Sequence, residues 1–242
     1  MPKIAKLNVK LLDCSKNIEQ TIAAAIRQCY SKLSARDLFI KILPDKRKQL
    51  INQVINSGHT STIEHGLFTY TIEGISRVTS HQLVRHRIAS YSQQSQRYVK
   101  FDDEGSFFII VPPKIFARKN ILKKYLEFMK SNYEFYSFLV TEGIEPEDAR
   151  YVLPNSCETK IVASMNPRGL YNFFKERLCL RAQWEIRAMA NEMLKIAKKK
   201  APILFSHIGP SCDTDLICRQ GKRSCGKWKA IKGARLIDPT ED

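Results

Sequence analysis

The chain has 242 residues, of which 43% are hydrophobic and 26% charged, and this composition is typical of a soluble globular protein and not of a disordered one. Its 40 lysines and arginines outnumber its 24 aspartates and glutamates, so the formal net charge of +16 favours anionic partners, either nucleic acid or phosphorylated small molecules. No apolar run approaches the roughly 20 residues of a bilayer span, and the N-terminus lacks a secretory hydrophobic region. We therefore expect a cytoplasmic protein with no membrane partner.

The first part of the chain predicts alternating short strands and helices. Leu7, Val9 and Leu11 alternate with polar residues, as in a half-buried strand. Asp45 is predicted to cap a helix that Gly58 follows, where glycine is favoured. The predicted segments are a strand at 7–11, helices at 17–30 and 46–57, a polar loop at 58–65, a strand at 67–74 and a short helix at 76–87.

The second part predicts an α+β domain that ends near residue 205. Asn166 and Pro167 form a strong helix start, and the helical pattern is interrupted between Glu176 and Arg181. We expect a mixed or antiparallel sheet flanked by helices over 1–205, followed by a basic, cysteine-containing tail over 206–242. The predicted segments are a strand at 106–113, a helix at 115–142, a short helix at 145–154, a strand at 158–165 and helix from 166 toward 200.

The segment 85–98, RHRIASYSQQSQRY, concentrates hydrogen-bond donors. Arg85, His86 and Arg87 cannot all share one face of a helix, but at a helix end they can surround a bulky anion. The serines and glutamines that follow could hold phosphate oxygens or a base edge, and Arg97 adds another cation. A solvated basic loop is the alternative, although such a loop does not require arginine, glutamine and tyrosine.

A second polar cluster lies at the predicted helix start. Arg168 and Asn172 are four residues apart and share a helix face, and Arg177 and Arg181 share another if the helix continues past Arg177. The first turn, next to Asn166, also favours anions. Taken alone, exposed polar helix faces are an equally good interpretation.

Metal binding is not favoured at two candidate places. His59, Glu64 and His65 lack the i, i+4 spacing of a helical zinc pair. The tail cysteines lack CxxC pairs, and although His207 could join them, reduced thiols in a mobile tail are the better interpretation. These tail cysteines are Cys212, Cys218 and Cys225. Because the sequence also lacks a GxSxG elbow, a P-loop and a GxGxxG motif, a cofactor is expected to carry the difficult chemistry.

Four blocks of the sequence match one protein family in order and spacing. The RHR-x7-S signature is carried by Arg85, His86, Arg87 and Ser95 and extended by Ser90, Arg97 and Tyr98. Further blocks, in the family's order, are GHTSTIEH (58–65), ARYVLP (149–154) and MNPRGLYNFFKERLCLRAQWEI (165–186). Together these blocks resemble the flavin-dependent thymidylate synthases (ThyX), and the resemblance extends from about residue 4 to residue 205.

The resemblance implies an activity and an assembly. Methylenetetrahydrofolate donates one carbon to C5 of dUMP, and FAD reduced by NADPH supplies the hydride, so that dTMP and tetrahydrofolate are formed. The family also implies an α+β homotetramer whose sites form where subunits meet.

The resemblance also implies residue roles. Arg177 matches an arginine placed against the uracil, where it favours ionisation, and Ser95 matches a substrate-binding serine and not a covalent nucleophile. The implied FAD contacts are His59, Ser61, Arg85, His86, Arg87, Gln93, Asn166, Arg168 and Asn172. The implied dUMP contacts are Gln82, Leu83, Val84, Arg85, Gln93, Gln94, Ser95, Gln96, Arg97, Arg150 and Arg177.

Two positions depart from many family members. Gln93 replaces a glutamate, and a neutral amide cannot act as a carboxylate base. Arg181 replaces a histidine. Two alternatives therefore stand beside the methyltransferase: a nucleic-acid-binding protein that uses segment 85–97 and the basic tail, and a flavin-binding relative that has lost methyl transfer.

Overall fold

The structure is a computed structural model, which describes residues 2–101 and 104–237. The chain is an α+β protein, as the sequence predicts. Its strands are β1 (Lys3–Ile4), β2 (Asn8–Cys14), β3 (Phe68–Ser76), β4 (Ser90–Gln93), β5 (Phe108–Ile109), β6 (Glu158–Met165), β7 (Ile217–Cys218) and β8 (Arg235–Leu236). Its helices are α1 (Ile18–Gln28), α2 (Ala35–Lys41), α3 (Pro44–Ser57), α4 (Arg77–Leu83), α5 (Pro113–Phe116), α6 (Lys119–Thr141), α7 (Pro146–Ala149), α8 (Pro167–Arg177), α9 (Trp184–Lys200), α10 (Pro202–Phe205) and α11 (Ser211–Thr214).

The main sheet has four strands in the order β2-β3-β6-β4. The backbone N–H of Ser15 donates to Leu67 at one end of the β2–β3 pair, and Gly74 lies against Lys6 at the other, so these strands are antiparallel. Two additional pairs, β1–β5 and β7–β8, are parallel. Of the expected mixed or antiparallel sheet, the antiparallel form agrees with the β2–β3 pair, whereas the parallel pairs form separate two-stranded sheets.

Contacts divide the chain into two compact units. Of the described residues, the first unit contains 2–8, 71–85, 91–101 and 104–162, and the second contains 9–70, 86–90 and 163–237. In the first unit, Phe107, Met129 and Tyr133 belong to a buried cluster against which Phe101 packs. In the second, the rings of Phe68, Tyr171 and Phe174 contact Phe205 edge-on, which is a favourable aromatic geometry.

Local departures from the predicted elements have physical causes. Helix α3 begins with Pro44, whose ring suits the first helical position, so Asp45 lies in the first turn and the predicted Asp45 cap is wrong. Helix α2 was not predicted because its seven residues are too few for a clear period; the Ser34 side chain caps it. Helix α4 ends at Leu83, so the RHR trio follows the helix instead of ending it.

The tail forms short elements where the structure describes it. Helix α11 and the β7–β8 pair lie beyond residue 205, and Cys212 and Cys218 are buried. The interpretation of a mobile tail is therefore wrong up to residue 237, because buried side chains require a fixed environment. Within residues 2–101 and 104–237, the cysteines are free thiols, no cluster of three or more His, Cys, Asp or Glu is suited to a metal ion, and no helix could cross a bilayer.

Candidate active site

Helix α8 carries several of the predicted site residues in the second unit. The Asn166 side chain accepts a hydrogen bond from the backbone N–H of Gly169 at 2.8 Å, which caps the helix as predicted. The apolar face of the helix, including Leu170 and Phe174, is fully buried, and the polar face is therefore fixed by the core beneath it. Asn172 lies on this exposed face.

Arg177, at the end of α8, is paired with His86 of the RHR trio. The Arg177 Nε–H donates to His86 Nε2 at 2.9 Å, and the imidazole packs edge-on against Phe173. Burial lowers the pKa of His86 below its usual value, and the Arg177 charge lowers it further, against the opposing effect of Glu176. The lowered pKa favours the neutral imidazole, whose Nε2 accepts the bond that orients the guanidinium.

Gly169 allows the loop after the RHR trio to approach α8 closely. A Cβ at this position would lie 2.9 Å from the carbonyl oxygen of Ile88, closer than real Cβ atoms come to backbone. Close packing therefore explains why residue 169 is glycine: without a side chain, it lets the backbone near His86 reach the helix that carries Arg177.

The implied flavin contacts at 59–61 belong to the same unit. The motif GHTSTIEH, predicted as a loop, forms a 3₁₀ helix over Thr60–Glu64. The Glu64 carboxylate forms an ion pair with Arg168, with 2.5 Å between Oε1 and Nη1, and this contact links the turn to α8. His59 and Ser61 are exposed on the turn. From the sequence, Glu64 was a candidate only for metal binding. Its ion pair with Arg168 could not be predicted, because the two residues are 104 positions apart and no local pattern links them.

A cavity of about 530 Å³ opens beside the end of α8. It is lined by four cationic and two acidic side chains, together with small and polar ones. Two of the implied contacts, Asn172 and Arg177, share this cavity, and Arg181 joins them. The other lining residues are Lys175, Glu176, Cys179, Ala182, Ser211, Asp215, Arg219 and Gln220.

In the first unit, Gln93 is held from two sides. Its Nε2 donates to Ser80 Oγ and to Thr159 Oγ1, each at 3.0 Å. Thr159 is almost fully buried, and the Arg77 guanidinium lies 3.5 Å from the same oxygen. The amide at 93 is thus a structural donor, a role that a carboxylate could fill only if the two hydroxyls became donors.

Replacing Gln93 with leucine is expected to lower the free energy of unfolding by about 1–3 kcal/mol, because the hydroxyls of Ser80 and Thr159 lose their shared donor in a buried place. Gln94→Leu is the matched control, because the hydrogen bond that Gln94 makes to Lys160 comes from its backbone N–H and is kept in the variant. Urea titration measures both. Equal losses in the two variants would show that the Gln93 amide has no such role.

The residues after Gln93 form a turn that leads to two arginines, Arg97 and Arg150, beside Glu147. The Ser95 hydroxyl accepts from the backbone N–H of Arg97 at 3.1 Å and fixes the turn. Arg97 then reaches Glu147 through both Nε and Nη2, each at 2.7 Å, and the Glu147 carbonyl accepts from Arg150 Nε at 2.9 Å. Two implied dUMP contacts, Arg97 and Arg150, therefore lie around Glu147, which sequence reasoning had not identified.

The implied contacts at 82–85 differ in accessibility. The Leu83 side chain is fully buried, and its carbonyl oxygen accepts from the Tyr91 hydroxyl, so Leu83 supports the local structure from inside. Val84 is 40% exposed, and Arg85 is exposed as well. Gln82 is half-buried, and Gln96 donates to the buried Cys157 thiol at 3.6 Å. In the second unit, Arg87 is exposed.

Comparison with known proteins gives a consistent result. The family model described as thymidylate synthase complementing protein matches residues 10–203. A flavin-dependent thymidylate synthase of Clostridium tetani is 44% identical over 95% of this chain and 97% of its own length. One from Geobacter sulfurreducens is 44% identical, over 93% and 97% respectively. The chain therefore belongs to the thymidylate synthase complementing protein family, whose curated relatives here are flavin-dependent thymidylate synthases.

A solved structure supports the fold. The UMP/dUMP methylase PolB from Streptomyces cacaoi, bound with 5-Br dUMP, superimposes with a TM-score of 0.75 at 22% sequence identity. The match covers 85% of this chain and 96% of that one. At this identity the likeness establishes a shared fold and does not assign residues.

Proposed function

We propose that the clusters around Arg177 and around Gln93–Arg97 serve the reductive methylation of dUMP to dTMP. The carbon comes from methylenetetrahydrofolate, FAD supplies the hydride after reduction by NADPH, and tetrahydrofolate is released. The observation that carries this function is the family match over residues 10–203. The nucleic-acid alternative receives no support from these comparisons.

Arg177 is proposed to hold the pyrimidine and to stabilise its negative charge. Methyl transfer requires C5 to act as a nucleophile, which places charge on the ring, and a fixed cation lowers the barrier for this step. The side chain of Arg177 is only 23% exposed, and His86 orients it without competing for charge, because a neutral imidazole accepts its Nε–H. Water is therefore partly excluded where the charge would develop.

Arg97 and Arg150 are proposed to bind the phosphate of dUMP. Both guanidinium groups lie near Glu147, which holds Arg97 through two nitrogen atoms. A dianionic phosphate would compete with that carboxylate for Arg97 and would recruit the free nitrogens of Arg150. Ser95 acts here through its turn and is not proposed as a nucleophile.

The donor set suits a flavin dinucleotide. His59, Ser61, Arg87, Arg168 and Asn172 present exposed donors for a pyrophosphate and a ring edge, which is the chemistry that FAD requires. When FAD is bound, it supplies the hydride that reduces the transferred carbon. The chain's own residues hold and orient it. The remaining implied contacts are Arg85, His86, Gln93 and Asn166.

A homotetramer with shared sites is proposed for the assembly. Helix α6 buries Met129 and Tyr133 on one face, whereas Ile121, Phe128 and Phe135 are 43%, 63% and 51% exposed. The last three recur every seven residues and form one stripe, and an exposed stripe of this kind suits a subunit interface. We place the reaction in the cytoplasm, where folate and NADPH are available.

The assembly is expected to have about four times the mass of one chain in light scattering. Phe128→Glu combined with Phe135→Glu should lower that mass, because charge on the stripe opposes burial between subunits. Lys123→Glu, exposed on a different face of the same helix, should not. A monomer for the unmodified protein would contradict the proposal.

The function is tested by incubating the purified protein with dUMP, methylenetetrahydrofolate, FAD and NADPH and separating the products. We expect dTMP only in the complete mixture, from a yellow protein that absorbs at about 450 nm. A yellow protein that forms no dTMP would favour the relative that has lost methyl transfer. A colourless protein that binds oligonucleotides at moderate salt would favour the nucleic-acid alternative.

A further inference from the structure

The cavity beside α8 is closed on one side by the C-terminal segment, defined here as residues 206–237. Ser211, Asp215, Arg219 and Gln220 line it together with Asn172 and Arg177. The family match ends at residue 203, so these four residues lie outside it. The segment is thus part of the wall around two implied site residues.

The segment is held against α8 by a specific contact. Asp215 accepts an ion pair from Lys175 Nζ at 2.6 Å, and the two side chains are only 26% and 30% exposed. Cys212 and Cys218, on either side of Asp215 in sequence, are buried. The wall therefore has a fixed position, and Arg219 follows the second buried cysteine directly.

Some of the charged side chains that line the cavity have an oppositely charged neighbour, and others have none recorded among the described residues. Asp215 neutralises Lys175, and Glu176 lies 3.7 Å from Arg177. Within residues 2–101 and 104–237, no ion pair is recorded for Arg181 or Arg219. Two guanidinium forks thus line a cavity that also holds the hydroxyl of Ser211 and the amide of Gln220, a donor set that suits a phosphate group.

We propose that the C-terminal segment belongs to the active site and that Arg219 binds a phosphate group of a substrate or cofactor. This inference rests on the proposed function, and it assigns to the chain a contact from outside residues 10–203, which the family model matches. The phosphate could belong to dUMP, to FAD or to NADPH, which share this chemistry. Methylenetetrahydrofolate, whose charge is carboxylate, is the contrasting ligand.

Arg219→Ala tests the proposal, with Arg223→Ala as the matched control. Arg223 is an exposed arginine of the same segment that does not line the cavity. Titrations give the Kd of dUMP and FAD, and initial rates give the KM of NADPH and of the folate. We expect about a tenfold weakening for at least one phosphate ligand in Arg219→Ala, because a charge-assisted bond is lost.

Arg219→Lys should recover part of the affinity, since it keeps the charge without the planar fork. Unchanged values for all three phosphate ligands, or a change confined to the folate, would overturn the proposal. If the unmodified protein forms dTMP while Arg219→Ala behaves like Arg223→Ala, only this inference fails. If the unmodified protein forms no dTMP, the Kd of inorganic pyrophosphate still compares the two variants. Weaker binding in Arg219→Ala alone supports the anion site. Equal Kd values in Arg219→Ala and Arg223→Ala reject it.

Discussion

Arg177→Ala is expected to abolish dTMP formation, by at least about a thousandfold, with FAD binding largely retained. Removing a fixed cation from a partly desolvated position costs the reaction its stabilisation of charge on the pyrimidine. Arg168, an implied flavin contact, is held by its ion pair with Glu64 and not by Arg177, so we expect its position to survive the change. Product chromatography measures the rate, and flavin absorbance measures the retained cofactor.

Arg177→Lys separates charge from orientation. The lysine keeps a cation but lacks the Nε–H that Arg177 donates to His86 at 2.9 Å. We expect an intermediate rate, because the ammonium is less precisely placed. An Arg177→Ala protein with full turnover would refute the role assigned to this residue.

Gly74→Ala is expected to lower the free energy of unfolding by about 3 kcal/mol or more. Gly74 has a φ of 66°, and a Cβ there would lie 2.0 Å from the carbonyl oxygen of Lys6, so the antiparallel neighbour would have to move. Its backbone N–H also donates to Glu158 at 3.0 Å. Denaturant titration measures the loss.

Gly58→Ala is the matched control for this prediction. Gly58 has a similar φ of 76° at the end of α3, yet nothing lies within 4 Å of a Cβ there. Its cost is expected to be about 1 kcal/mol, from backbone strain alone. Similar losses in the two variants would contradict the close approach of Lys6 to Gly74.

Local patterns predicted much of the fold. Asn166 and Pro167 predicted the start of α8, and the irregular stretch after Glu176 predicted the break before α9. The strands at 67–74 and 158–165 are confirmed as β3 and β6, because their alternation reflects one buried face. The strand at 106–113 was predicted too long, since β5 covers Phe108–Ile109.

The site was predictable in its residue types but not in its pairings. Ion pairs such as Arg168–Glu64 and Arg97–Glu147 join residues far apart in sequence, and no local period indicates them. The burial of Cys212 and the position of Arg219 depend in the same way on tertiary contacts with α8. The sequence could indicate an anion site at segment 85–98, but not the wall that the C-terminal segment adds.

Tritium release from 5-tritiated dUMP is the most direct test of the central claim, that this chain substitutes C5 of dUMP. With methylenetetrahydrofolate, FAD and NADPH all present, the unmodified protein is expected to release tritium to water in step with dTMP formation, and Arg177→Ala is expected to release none above background. A protein that binds FAD and dUMP yet releases no tritium in the complete mixture would contradict the account.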